Sequence, residues 1–179
     1  MKCDKRAMLL YAVTDRAWTG RQSLYEQVEA ALKGGVTCVQ LREKELDDES
    51  FLAAQVRQIV GGDMLIGVSV HSVEEALEAV KNGADCLGAG AVFSTSTKAD
   101  TSVLPKEVLR DICAAVDIPV VAIGGIGKNN IAQLSGTGVD GVALVSAIFG
   151  AADIEGECRV LCRLSEEMVH GGKQEENIQ

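Results

Sequence analysis

Three short junctions in this sequence are near copies of one another: Lys33-Gly34-Gly35-Val36, Asn82-Gly83-Ala84-Asp85 and Thr137-Gly138-Val139-Asp140. Each follows an amphipathic stretch and precedes an apolar run. A Gly at that point supplies the left-handed residue with which a helix ends, and a strand begins within a few positions. Short αβ loops between alternating elements imply right-handed crossovers and a parallel sheet. Periodicity extends the pattern along the chain. Strands are expected over 9–14, 38–42, 64–70, 86–91, 119–123 and 141–146, and helices over 22–33, 47–60, 72–81, 106–115, 128–134 and 154–169. The result is six strand-helix units in a single α/β domain over 1–179, frayed at 1–6 and 171–179. The sheet is either open and doubly wound or part of a barrel. No Gly-x-Gly-x-x-Gly follows the first strand, so a dinucleotide-binding sheet lacks its main signature.

Composition agrees with buried parallel strands. Apolar residues make up 47% of the chain but aromatics only 3%, so Val, Ile, Leu and Ala must fill the core. A net charge of −9, with no basic cluster longer than Lys5-Arg6, argues against a nucleic-acid surface. No run approaches the roughly 18 apolar residues of a membrane span, and Met1 to Arg6 does not read as a signal peptide. The six cysteines form no CxxC pair and several fall in apolar contexts, where thiols serve as small hydrophobes; the cytoplasm is the expected compartment.

Polar and glycine-rich residues collect just after the strands, the face where parallel α/β folds place their sites. In Gln40-Leu41-Arg42-Glu43-Lys44, strand alternation puts Gln40, Arg42 and Lys44 on one side, an amide and two cations suited to a diphosphate. Salt bridging to Glu43, Glu45 and Asp47 is the structural alternative. Thr95-Ser96-Thr97-Lys98 offers hydroxyls and loop amides to a phosphate, or merely fills a loop. Gly124-Gly125 and Val145-Ser146 end the last two strands, where barrels hold phosphate; the glycines also suit a plain turn. Ser69 closes another strand, and Ser72 with Glu75 reads as a capping box. His71 is a general base or a structural hydrogen-bonder. Cys158 and Cys162 share a helix face without a His partner, so no metal site is read there.

Taken in order, these segments resemble the thiamine phosphate synthase family. Tyr11 to Arg16 is similar to its opening strand, Gln40 to Lys44 matches its QLREK motif, and Ile66 to His71, Thr95 to Lys98, Ala122 to Ile126 and Val145 to Phe149 match later ones. The resemblance implies a TIM-barrel-like parallel (β/α) fold with about six of the eight units, incomplete or closed through a partner chain. It implies a transferase that joins an aminopyrimidine diphosphate to a thiazole phosphate. By that resemblance Gln40, Arg42, Lys44, Ser69 and Lys98 face the pyrimidine diphosphate, Thr95, Ser96, Thr97, Gly125, Val145 and Ser146 the thiazole phosphate, and Leu41 and Glu43 belong to the substrate-binding set. Arg42, Lys44 and Lys98 carry the charge stabilisation. The family also implies Mg2+, but the stretch that carries its Asn-Asp pair and further Asp has no counterpart here, leaving Asp15, Glu43 or another acid as a substitute. The missing units would expose strand edges, so a homodimer is expected. Two other readings are a thiazole tautomerase using His71 and a non-catalytic phosphate-binding protein.

Overall fold

A computed structural model describes residues 4–13, 22–40, 65–94 and 103–171. Among the described residues there are six strands, β1 (Leu10–Val13), β2 (Cys38–Gln40), β3 (Gly67–Val70), β4 (Cys86–Gly90), β5 (Val120–Ile123) and β6 (Gly141–Leu144). All pairings are parallel, in the order β2-β1-β6-β5-β4-β3. The first and last described strands are neighbours, so among the described residues the order is that of a barrel read round its axis, interrupted once, between β2 and β3. This is the TIM-barrel-like arrangement expected from the sequence, with six of the staves.

The helices are α1 (Leu24–Lys33), α2 (Val73–Lys81), α3 (Lys106–Ala115), α4 (Ser146–Phe149) and α5 (Ile154–Gly171). Each long one begins or faces as its sequence dictates. Ser23 and Glu26 form a reciprocal capping box at the start of α1, and Ser72 Oγ accepts from the Glu75 N–H at the start of α2. Ala76 and Ala79 of α2, Leu109 and Ile112 of α3, and Cys158, Leu161 and Met168 of α5 turn inward onto Leu10, Ala12, Leu87, Ala89, Val120, Ala122, Val142 and Leu144 of the strands. Burying one such Leu or Ile stabilises the fold by roughly 1.5–3 kcal/mol. Alternate strand residues face the other way, into the concave side. There Tyr11, Val13, Cys38, Cys86, Val121, Ile123, Ala143 and Val145 gather over Met8. Met8 ends a 3-10 turn, Lys5–Met8, that Asp4 caps.

The copied junctions have a common use. At each, the residue two places after the left-handed Gly returns to the preceding strand. Asp85 Oδ2 accepts from the Ile66 N–H at 2.7 Å while the Asp85 N–H donates to the Ile66 carbonyl at 2.8 Å. Asp140 does the same to Val120, at 3.0 and 2.8 Å. Thr37 does it to Leu10 through its hydroxyl, at 3.0 Å each way. Gly35, Gly83 and Gly138 hold φ of 99°, 90° and 87°, values that favour glycine and turn the chain for the clamp.

Two expectations change. The helix read over 128–134 is only a 3-10 turn, Ile131–Leu134, because the side chain of Asn130 bonds back into the preceding turn. The strand read over 141–146 stops at Leu144, and Ser146 opens α4 instead. The helix expected over 47–60 lies outside the described residues.

Candidate functional site

Because every strand runs the same way, their C-terminal ends meet along one edge of the sheet. β3 brings Ser69 there, exposed and in register with Gly88 of β4. β2 ends on Gln40, in register with Val13. β5 delivers Gly124-Gly125, and β6 delivers Val145-Ser146. Of the residues expected to bind ligand, Gln40, Ser69, Gly125, Val145 and Ser146 therefore share that edge. Leu41, Arg42, Glu43, Lys44, Thr95, Ser96, Thr97 and Lys98 lie outside the described residues, as does Asp15.

The ends of β4 and β5 are laced together. The Val92 N–H donates to the Ile123 carbonyl at 2.9 Å and the Phe93 N–H to the Gly124 carbonyl at 3.1 Å. Gly125 has φ +64°, and a β-carbon there would stand 2.5 Å from the Ser94 carbonyl oxygen. Only a residue without a side chain lets these two backbones touch. Among the described residues no acceptor takes the N–H of Gly125 or of Ser146. Two adjacent strand ends thus offer main-chain donors, the arrangement by which loops hold an anion without a net charge. Below them the concave side is apolar, from Tyr11 round to Val145. A polar rim over an apolar floor suits a flat ring that carries a phosphate.

A cleft of about 550 Å3 opens beside Ser146, walled by Ala147, Gly150 and Gly156 and lined by Lys128, Asp153 and Glu157. Lys128 Nζ pairs with Glu157 Oε2 at 3.0 Å. Sequence reading overlooked these two and Asn130, whose side chain bonds both Gly125 and Gly127. The run Gly127-Lys128-Asn129-Asn130 carried a signal, since Asn just after a glycine turn commonly bonds back to it. His71 is exposed, and both its N–H and its Nδ1 lie against Glu75 Oε2, at 2.7 and 3.2 Å. That is the setting of a structural histidine. Among the described residues no three His, Cys, Asp or Glu side chains cluster to hold a metal ion, so none is assigned to Mg2+. No described helix is long and apolar enough to cross a membrane.

Comparison with known proteins agrees with this layout. The family model for thiamine monophosphate synthase matches residues 10–55 and again 52–148. The thiamine-phosphate synthase of Clostridium acetobutylicum is 38% identical over 194 positions, covering 85% of this chain and 92% of that protein. The thiamine-phosphate synthase of Pyrococcus abyssi is 37% identical over 206 positions, with 92% and 98% covered. The solved thiamine phosphate pyrophosphorylase from Pyrococcus furiosus superposes with a TM-score of 0.82 at 34% identity, over 92% of this chain and 98% of that one. The two family segments meet at 52–55, between β2 and β3, where the cyclic order of strands is also interrupted. The 194 aligned positions draw on only 85% of 179 residues, so roughly 40 positions of the Clostridium protein have no counterpart here, between one and two units of a barrel of about 250 residues.

Proposed function

We propose a transferase: this chain belongs to the thiamine monophosphate synthase family, and its strand-end edge offers phosphate donors above an apolar floor. The reaction is the joining of 4-amino-2-methyl-5-pyrimidinylmethyl diphosphate to thiazole phosphate, giving thiamine phosphate and pyrophosphate. The supporting observation is that Gly125 and Ser146 follow adjacent strand ends, both with main-chain N–H groups that no described residue accepts.

In this reading Gly125, Val145 and Ser146, with Thr95, Ser96 and Thr97, receive the thiazole phosphate. Gln40, Arg42, Lys44, Ser69 and Lys98 receive the pyrimidine diphosphate, with Leu41 and Glu43 in the substrate-binding set. The bond from the pyrimidinylmethyl carbon to the diphosphate oxygen breaks, and the pyrophosphate takes the electron pair. The ring's amino group stabilises the cation left behind. The thiazole nitrogen then donates its lone pair to that carbon. No proton need move at the reacting atoms, so catalysis is positioning together with stabilisation of the departing charge by Arg42, Lys44 and Lys98. The family resemblance brings Mg2+ as a further counter-charge; no step here depends on it, because the described residues supply no ligand cluster. We place the chain in the cytoplasm, where its cysteines would stay reduced.

An assay for thiamine phosphate tests the reading. Product should require both substrates. No product at high enzyme concentration with excess Mg2+ would remove the transferase, and binding of thiazole phosphate without turnover would make the chain a phosphate-ligand-binding protein instead.

A further inference from the structure

Asn130 closes the turn after β5 from both sides. Its Oδ1 accepts from the Gly127 N–H at 2.8 Å, and its Nδ2 donates to the Gly125 carbonyl at 2.9 Å. The main-chain N–H groups of Asn130 and Ile131 in turn donate to the Gly127 carbonyl, at 3.1 and 3.0 Å. Gly124 and Gly125 hold φ of 101° and 64°, so this part of the chain lacks the steric restraint that side chains give, and its peptide planes need another. In a trans peptide the N–H lies opposite the carbonyl. Fixing the Gly125 carbonyl on Asn130 therefore fixes the N–H of Ile126 on the other side. The neighbouring plane is fixed by the bond from the Phe93 N–H to the Gly124 carbonyl, which sets the N–H of Gly125.

We infer that Asn130 is a positioning residue: it touches no substrate, and it holds the Gly124–Gly127 turn so that the Gly125 and Ile126 amides remain aimed as phosphate donors. The inference deepens the assignment of Gly125 to the thiazole phosphate and rests on it.

Asn130→Ala and Asn130→Asp separate the two bonds. Alanine loses both. Aspartate keeps an acceptor for Gly127 but cannot donate to the Gly125 carbonyl. Calorimetry with thiazole phosphate, and separately with inorganic phosphate, should show binding weakened by about 10- to 100-fold in both variants, the usual cost of losing a residue that orients a ligand-binding group. The KM for the pyrimidine diphosphate should move by less than about twofold, since uniform binding of that substrate is untouched. An aspartate variant that binds like wild type, or a parallel rise in both KM values with a fall in Tm, overturns the proposal.

Wild-type activity retained by both variants, with binding unchanged, would refute the positioning role and leave the transferase intact. Absence of product in the wild type, with inorganic phosphate binding still weakened in the variants, would keep the positioning role and remove the transferase. If wild type binds neither phosphate, both fall. Should the variants not fold, amide spectra of the wild type decide the matter. Thiazole phosphate should shift the Gly125 and Ile126 signals, with the Gly127 amide already protected from exchange before ligand is added; the absence of either result refutes the inference.

Discussion

The thiols show how a residue's surroundings set its chemistry. Cys158 lies fully buried on α5 against Gly34, where any larger residue would collide with it. Burial, with the nearby Glu157 and Cys162 adding to it, pushes its thiol from the ordinary 9.0 up to about 12. Burial and then the Asp140 charge do the same to Cys113, also up to about 12. Such groups are packing, as their apolar sequence contexts indicated, and not nucleophiles. The sign of the consequence follows from linkage. Below 9.0 both thiols are neutral folded or unfolded, whereas between 9.0 and about 12 the unfolded chain ionises and the folded chain does not. Stability should therefore fall as pH rises through that window. Urea midpoints measured from neutral to alkaline pH will check it, with the double variant Cys113→Ala, Cys158→Ala as control. The control should have the shallower alkaline slope; equal slopes would mean other groups cause the decline.

Among the elements, the clamps are the part of the fold most directly written in the chain. Gly-x-Asp or Gly-x-Thr at three junctions marks where a helix ends, a strand starts and the preceding strand is tied down. Asp140 is the best test, because Val120 is 2% exposed and the Asp140 carboxylate is the acceptor of its N–H. Asp140→Ala should cost about 1–3 kcal/mol in urea unfolding, the penalty for an unsatisfied buried donor. Asp140→Asn keeps an acceptor and should lose less, apart from the 3.1 Å pair with Lys5. Equal losses would show that the Lys5 pair, and not the clamp, was the stabilising contact. Elsewhere the sequence was less readable. Ile131 and Leu134 lie three apart, as in any helical face, and nothing in that spacing tells an α-helix from a single 3-10 turn. Ser146-Ala-Ile-Phe reads as the end of a strand because four residues are too few to show a period. The glycines of the site were visible, but the Asn130 clasp is signalled only by an Asn following a glycine turn, since periodicity says nothing about where a side-chain amide will bond.

At the scale of the whole molecule, the interrupted ring of strands has a consequence for assembly. β2 and β3 each pair on one side only among the described strands. On β3, Gly67 and Ser69 are exposed and Val68 is half-buried. A parallel strand with an unpaired side is a template for another strand, and closure is the usual way such edges are removed. Within one chain, closure by β2 against β3 would make a six-stranded ring, narrower than the eight-stranded barrel whose interior side chains just fill it. The concave side already holds Tyr11, Ile123 and Met8, large groups for so small a ring. We therefore propose a homodimer in which a second copy covers the edge at β3. Light scattering at micromolar concentration should give twice the 18.9 kDa of one chain. A stable monomer there would mean that the edges are satisfied within the chain, and would overturn the proposal.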